Sequence, residues 1–456
     1  METTLKKEQN QKLREDINIS YLRIKKPLYF CAKAFFMELL KLFLESGSIC
    51  TDSRKVKAGD IFFALRGDNF DGNQYAKSAL KSGAKIAIID RPEVLETGMI
   101  LVDDVLKTLQ DLATAYRETF DVPVLAITGS NGKTTTKELT AAVINQKYNA
   151  LVTVGNLNNH IGVPLTLLSA KKENNFFIIE MGANHQGEID MLCRIAKPNF
   201  GMITNIGRAH LEGFGGVEGI KKGKSEMYRY LAKQGGHIFV NQSDEVLRSL
   251  IPQDFNEVIA YDSAAFSTSL TDDNFLTFHY DGEPVETHLF GEFNIKNIAA
   301  AIAVGEYFEV GKENIASGIK NYVPGNNRSQ MEKMGKHMVV KDAYNANPSS
   351  VDASLRAFFS MKSELKKGII LGDMLELGEE SEAEHQQILE LISKNNLAFK
   401  IFIGPIYYSL KDKFDGEFYE NMTNAKSAVQ LHELAEPHLI LLKGSRGIAV
   451  EKILSE

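Results

Sequence analysis

Two kinds of apolar patterning alternate along this chain. Short runs of consecutive apolar residues, bounded by Gly, Pro, Asp or Asn, predict strands buried on both faces. They are Ile61–Leu65, Ile86–Ile89, Val124–Ile127, Phe176–Glu180, Phe200–Thr204, Met338–Lys341, Gly368–Leu371, Phe399–Ile403 and Leu439–Leu442. Between them lie helical stretches, of which Tyr75–Ser82 and Val105–Thr119 are the clearest early examples. Such alternation throughout predicts an α/β chain of parallel sheets with helices on both faces. Ligands on these sheets gather beyond the carboxyl ends of the strands, so the polar residues that follow each strand are the first functional candidates.

The same pattern divides the chain. Residues 1–26 are polar and charged and predict a disordered tail, followed by a Phe- and Leu-rich stretch, Pro27–Leu44. That stretch carries Lys33, Glu38 and Lys41, so it predicts an amphipathic helix rather than a membrane span, and no small-residue cleavage site follows a clean apolar core. A small α/β unit is expected over 47–121, a larger central one over 122–323, and a third over 324–456. A chain of 456 residues is too long for one core and suits about three domains.

Composition narrows the classes. The apolar fraction of 44% and charged fraction of 24% are those of an ordinary globular protein, and the net charge of −7 argues against a non-specific nucleic-acid binder. Cys31, Cys50 and Cys193 lie far apart with no CxxC pair, which fits reduced thiols in a cytoplasmic protein.

The sharpest chemical signal is Gly129-Ser130-Asn131-Gly132-Lys133-Thr134-Thr135, between a buried strand and a helical pattern. Glycines let backbone N–H groups reach phosphate oxygens, and the helix start adds a favourable dipole. Lys133 would neutralise the β- and γ-phosphates and the Thr134 hydroxyl would ligate Mg²⁺. Other phosphate loops carry a leading glycine five residues before Gly132; here that residue is Ile127. Glu180 ends a strand beside the loop, where a carboxylate can hold Mg²⁺ directly or through water. His210 also follows a strand; alone it reads equally as structural. Lys224, within Lys221-Lys222-Gly223-Lys224-Ser225-Glu226, reads by itself as a solvated basic turn.

Taken together with Gly291-Glu292-Phe293-Asn294-Ile295-Lys296-Asn297, Asn327-Arg328 and Asp342, these motifs resemble the Mur ligases of peptidoglycan synthesis, over about Thr51 to Ile448. The shortened phosphate loop is the form that family uses. Within the family, Asn156–Pro164, Glu180–Glu188 and Asp342–Pro348 are most similar to the branch that joins D-alanyl-D-alanine to a UDP-N-acetylmuramoyl-tripeptide. The Tyr-Ala-His and Asp-Asn-Pro-Arg signatures of the branch adding the third residue are not in the sequence.

The resemblance implies a small N-terminal substrate domain, a central P-loop ATPase domain and a C-terminal Rossmann-like domain. In the first, Ser53, Arg54, Arg66 and Asn69 would hold the uridine nucleotide; a local Asp52–Arg54 salt bridge and a solvated Arg66 turn are the competing readings. In the centre, Gly129–Thr135 would hold ATP, with Thr134 and Glu180 on one Mg²⁺ and His210 and Lys224 on a second. Lys224 would be either a carbamate that binds metal or a plain ammonium that neutralises phosphate. Asn294 and Asn297 would contact adenine, with Phe293, where the family usually has His, as packing. Asn158, Asn159, Asn184 and His185 would face the peptide and the metal shell. In the third domain Arg328 would reach the γ-phosphate, Asp342 the ribose, and Tyr344 and Asn345 would flank the nucleotide. Lys443, Ser445 and Arg446 would take the acyl phosphate or a terminal carboxylate; solvated charges at a helix start are the alternative. The implied protein is a cytoplasmic, monomeric ligase working on two small-molecule substrates, with no nucleic acid and no stable membrane insertion. Its rivals are another Mur step, a folylpolyglutamate-type synthetase, and a phosphate-loop NTPase that turns over ATP without any acceptor.

Overall fold

The computed structural model describes residues 29–325, 327–429 and 436–454; the expected disordered tail lies outside them. Contacts group the chain into two compact units. One is the chain up to Asp121 with His160–Lys171 and Arg194–Lys197; the other is Val122–Asn159, Lys172–Cys193 and the chain from Pro198 onward.

The first unit is built on four short parallel strands, β1 (Ile49–Cys50), β2 (Ile61–Phe63), β3 (Ile86–Ile89) and β4 (Met99–Leu101), paired in that order. β2 stops before Leu65 because the Leu65 N–H turns back to the Phe63 carbonyl at 2.9 Å. The apolar stretch near the N-terminus forms α1 (Tyr29–Ser46), which buries Leu39, Leu40, Leu42 and Phe43. Phe43 meets Tyr116 of α3 (Val105–Arg117) edge-on, with ring centroids 4.9 Å apart. Between β2 and β3 lies α2 (Ala76–Lys81), whose Ala76 and Ala79 sit in the core with Phe62 and Ala87. α3 also packs on α5 (Gly162–Leu168), and the Tyr116 hydroxyl donates to the Ala170 carbonyl at 2.8 Å. No described helix is long and apolar enough to cross a membrane.

The second unit opens with six parallel strands: β5 (Val124–Thr128), β6 (Ala150–Val152), β7 (Phe176–Glu180), β8 (Phe200–Ile203), β9 (His237–Asn241) and β10 (Val258–Tyr261). Their order is β10-β9-β8-β5-β7-β6. β5, β7 and β8 are buried throughout, as continuous apolar runs require. Four helices among these strands matter below: α4 (Lys133–Ile144), α6 (Glu188–Ala196), α7 (Leu211–Phe214) and α8 (Val217–Lys224). α4 packs against α9 (Ile295–Tyr307) and α10 (Lys312–Lys320) over a core of Leu139, Val143, Ile298, Val304 and Ile315.

The expectation of parallel sheets throughout needs correction. β11 (Thr268–Leu270), β12 (Phe275–Tyr280) and β13 (Glu283–Phe290) form an antiparallel sheet. β12 and β13 join through Asp281-Gly282, both at positive φ (53° and 85°), as a tight hairpin turn demands. The last sheet is mixed. β14 (Gln330–Met334) runs antiparallel to β15 (His337–Lys341), and β16 (Lys366–Gly372), β17 (Phe399–Ile403), β18 (Glu417–Tyr419) and β19 (His438–Lys443) complete it in the order β14-β15-β19-β16-β17-β18. The helices α11 (Pro348–Ser360) and α12 (Ser381–Ser393) follow β15 and β16.

Candidate active site

β5 is flanked by β7 and β8, so the loops leaving all three open on one end of the sheet, where its strand order reverses. The glycine loop after β5 is stitched to the loop after β8. Ser130 N–H donates to the Asn205 carbonyl at 3.0 Å, Asn131 N–H to Asn205 Oδ1 at 3.0 Å, and Thr204 Oγ1 to the Asn131 carbonyl at 2.6 Å. Gly129 has φ 145°, and a Cβ there would lie 2.0 Å from Thr204 Oγ1, so no other residue fits. Gly132 has φ 77°, and a Cβ there would lie 2.5 Å from Asn297 Oδ1. Lys133 begins α4, with Nζ folded back on the carbonyls of Gly129 (2.7 Å) and Ser130 (3.1 Å). Its surroundings hold its pKa down to about 8, chiefly by desolvation, with Glu180 opposing and Arg328 adding to the depression. Thr134 and Thr135 are buried in the first turn.

Glu180 is 1% exposed at the end of β7. Its N–H donates to Thr153 Oγ1 at 3.0 Å and its Oε1 accepts from Asn158 Nδ2 at 2.8 Å. Oε2 is buried without a hydrogen-bond partner. A buried carboxylate oxygen with free lone pairs is a donor waiting for a cation.

Lys224 overturns the reading of its segment as a solvated turn. It is the last residue of α8, 1% exposed, with Nζ 3.2 Å from the Ala183 carbonyl and 5.1 Å from the centroid of Phe214. Burial, then repulsion from Lys133, holds its pKa well below the usual value; Glu188 and Glu226 pull the other way. His210, at φ 55°, pairs through Nδ1 with Glu376, which follows β16. Burial holds the imidazole below its ordinary value despite that carboxylate, and Lys133 and Lys224 add to the depression. Five residues marked out in the sequence, Lys133, Glu180, His210, Lys224 and Arg328, thus form one electrostatic neighbourhood. Asn184 and His185 reach it less directly: their N–H groups are both held by Glu188 Oε2.

On the last sheet, Lys443 is 2% exposed rather than solvated. Its Nζ donates to Asp342 Oδ2 at 2.6 Å, and that oxygen also accepts from Ser354 Oγ at 2.6 Å. Asp342 Oδ1 accepts from the Ser329 N–H at 3.2 Å. Arg328 stacks on Tyr344 (3.5 Å to the centroid), with Arg446 also over that ring at 5.5 Å, while Arg328 Nε is buried and unpartnered. Ser445 Oγ accepts the Leu375 N–H at 3.0 Å. Asn345 is exposed.

Other marked residues are occupied locally. Asn294 and Asn297 are buried and bonded to each other at 2.8 Å; Asn297 also accepts from Thr136 Oγ1 at 3.0 Å, and Asn294 donates to the Phe290 carbonyl at 2.8 Å. Phe293 meets Phe290 edge-on, as packing. In the first unit Arg54 forks onto Asp52 at 2.9 and 2.8 Å, the local salt bridge that competed with a nucleotide role, and holds Asp52 down to about 2. Arg66 pairs with Asp90 at 3.1 Å, so it is not simply solvated. Ser53 starts a short helical turn and Asn69 lies exposed in a hairpin.

Sequence reasoning missed Lys137, Glu376 and Asn347. Lys137 had a signal, its position one helical turn after Lys133; the other two act across great sequence distance, which local pattern does not carry.

Three family models match in order: the Mur ligase family catalytic domain at residues 47–128, the Mur ligase middle domain at 127–305, and the Mur ligase glutamate ligase domain at 327–446. A curated relative from Bacillus subtilis, named UDP-N-acetylmuramoyl-tripeptide–D-alanyl-D-alanine ligase, is 33% identical over 430 residues, covering 90% of this chain and 92% of its own. The chain belongs to the Mur ligase family. This Mur ligase is also similar to solved structures. A MurF from Acinetobacter baumannii matches with a TM-score of 0.81 at 31% identity, over 90% of this chain and 92% of that one. The MurF ligase from Thermotoga maritima, in complex with ADP, matches with a TM-score of 0.77 at 25% identity, over 89% and 96%.

Proposed function

We propose that this Mur ligase joins D-alanyl-D-alanine to UDP-N-acetylmuramoyl-tripeptide, using ATP and passing through an acyl phosphate. The observation that carries the chemistry is the buried Glu180 Oε2 without a hydrogen bond beside Lys133, a lysine of the phosphate loop that Lys224, His210 and Arg328 also approach. The relatives' shared name supports the substrates.

The tripeptide's free carboxylate attacks the γ-phosphorus, the bond to the β-phosphate oxygen breaks, and ADP leaves. The dipeptide amine then attacks the acyl carbon, loses a proton, and the tetrahedral intermediate expels phosphate. These residues supply charge neutralisation and position rather than a nucleophile. Lys133 neutralises the phosphates, and its backbone loop cradles them. Arg328, preorganised by Tyr344, reaches the γ-phosphate. Asp342, oriented by Lys443 and Ser354, takes the ribose, with Tyr344 and Asn345 beside it. Asn294 and Asn297 support the nucleotide's side of the loop through Gly132. Arg446 and Ser445 stand ready for the acyl phosphate or a carboxylate. Asn158 and Asn159 face the peptide, and Ser53, Arg54, Arg66 and Asn69 the uridine nucleotide, once their present ion pairs rearrange.

Among the described residues no three His, Cys, Asp or Glu cluster to hold a metal. Mg²⁺ needs only one or two protein oxygens beside phosphates, so Thr134 and Glu180 fit one ion; Lys224 would join His210 on a second as the carbamate, whose oxygens replace the ammonium. When bound, Mg²⁺ supplies Lewis-acid neutralisation of phosphate charge. Burial and the repulsion from Lys133 favour the neutral amine of Lys224, the form that adds carbon dioxide to give a carbamate. The chain is further read as three domains, 47–121, 122–323 and 324–456, monomeric and cytoplasmic.

Phosphate release, measured with UDP-N-acetylmuramoyl-tripeptide, ATP and either D-alanyl-D-alanine or single amino acids, tests the reading. Release only with the dipeptide is expected; release with an amino acid alone, or with no acceptor, would sink it. Lys133→Ala should abolish release, with a fall of at least about a hundredfold.

A further inference from the structure

The helix that follows the phosphate loop carries a second lysine that none of the steps above uses. Lys137 lies one turn after Lys133 on α4 and is 0% exposed. Its Nζ stands 3.5 Å from Glu180 Oε2, 3.5 Å from the Gly155 carbonyl and 3.9 Å from Glu138 Oε1. Glu180 is itself held from two other sides, by Thr153 through its N–H and by Asn158 through Oε1. The oxygen that Lys137 faces is the one left without a hydrogen bond.

Two physical facts bear on this pair. A buried carboxylate far from water is tolerated only when its charge is balanced nearby. An N···O separation of 3.5 Å is long for a hydrogen bond but close for Coulomb attraction, so the ammonium balances the charge without filling the oxygen's lone pairs. The same ammonium repels a divalent cation that approaches Oε2 alone. A cation that arrives with phosphate oxygens brings its own compensating charge.

We propose that Lys137 is the standing counter-ion of Glu180, a positioning residue that balances the buried carboxylate while leaving Oε2 open and makes divalent-cation binding depend on the nucleotide's phosphates. This rests on the reading of Glu180 as a metal-holding carboxylate, and the test separates the two claims.

The full chain is studied as Lys137→Met, Glu180→Gln and the double variant. Thermal unfolding in EDTA reads the pairing without any metal. Each single change should lower Tm by several degrees and the double by clearly less than the sum; additive losses would overturn the pairing. If Lys137→Met alone does not accumulate folded, recovery on adding Glu180→Gln supports the pairing, and no recovery overturns it. Mn²⁺ binding, read by electron paramagnetic resonance with and without a non-hydrolysable ATP analogue, reads the second half. Lys137→Met should bind Mn²⁺ roughly tenfold more tightly without nucleotide and gain less from adding it, and Lys137→Arg should stay near the parent. Unchanged or weaker Mn²⁺ binding in Lys137→Met would overturn the proposal. Glu180→Gln without effect on Mn²⁺ would instead remove the underlying reading of Glu180, even if the Tm cycle shows coupling.

Discussion

Gly129 shows how narrow the tolerance at the phosphate loop is. Its φ of 145° and the 2.0 Å approach a Cβ would make to Thr204 Oγ1 oppose any side chain. Gly129→Ala should cost about 1–3 kcal/mol from backbone strain alone, read as a fall in Tm, and should weaken ATP binding as the loop moves off Asn205. Lys224 teaches a different lesson. Its sequence neighbours are Lys, Gly, Ser and Glu, which locally describe an exposed turn. Burial comes from Phe214 and the loop carrying Ala183, more than forty residues away in the second case. For Lys443 the position at a strand's end was legible but its partner was not, because Asp342 reaches it only when β15 and β19 pair. What the sequence does carry is the residue type at a strand's end; what it lacks is the partner supplied by the neighbouring strand.

Two helices of the last sheet carry contacts that can be separated by mutation. Asn347 caps α11, with Oδ1 accepting from the Ser350 N–H at 3.0 Å, while its Nδ2 donates to Asn131 Oδ1 in the phosphate loop at 2.7 Å. Asn347→Asp keeps the cap and loses that donor, so Tm should hold while KM for ATP rises. Asn347→Ala loses both, with about 1 kcal/mol less stability. On α12, His385 accepts from the Met374 N–H at 2.9 Å through Nε2, and its Nδ1 lies 2.7 Å from the Ser381 carbonyl. Burial holds this imidazole below its ordinary value, against the pull of Asp373 Oδ1 at 3.6 Å; the Tyr407 ring closes one side. A histidine whose folded value is depressed contributes stability above its unfolded value, near 6.5, and that contribution is lost as pH falls. Tm should therefore decline from about pH 6.5 downward, and more steeply than in His385→Asn. Asp373, raised by burial against the pull of His385, acts in the opposite sense.

Across the second unit, the loops after β5 and β8 meet the segments after β15 and β16 through contacts that include Asn347 with Asn131, Arg208 with Glu384, and His210 with Glu376. Arg208→Ala combined with Glu376→Gln should leave nucleotide affinity nearly unchanged but lower kcat, by up to about a hundredfold if the acceptor carboxylate drifts by an ångström; a stopped-flow nucleotide titration beside steady-state turnover checks this. The parallel strands were legible because continuous apolar runs have few other uses. β11–β13 were not, since strand–helix alternation on either side masked their period of two, although Asp281-Gly282 marks the hairpin. The first unit's discontinuity was illegible for a plainer reason. Nothing in 162–168 announces that it packs on α3.

That discontinuity has a consequence for synthesis. The core around Tyr116 is closed by Ala170, and Arg117 Nε bonds the Ala196 carbonyl at 3.2 Å. As the chain leaves the ribosome at about 5–20 residues per second, the first unit must wait for the segment ending at Lys197, several seconds after Asp121 emerges. During that interval β5 to β7 appear in front of an unfinished neighbour, so the two units mature interleaved in time rather than one after the other.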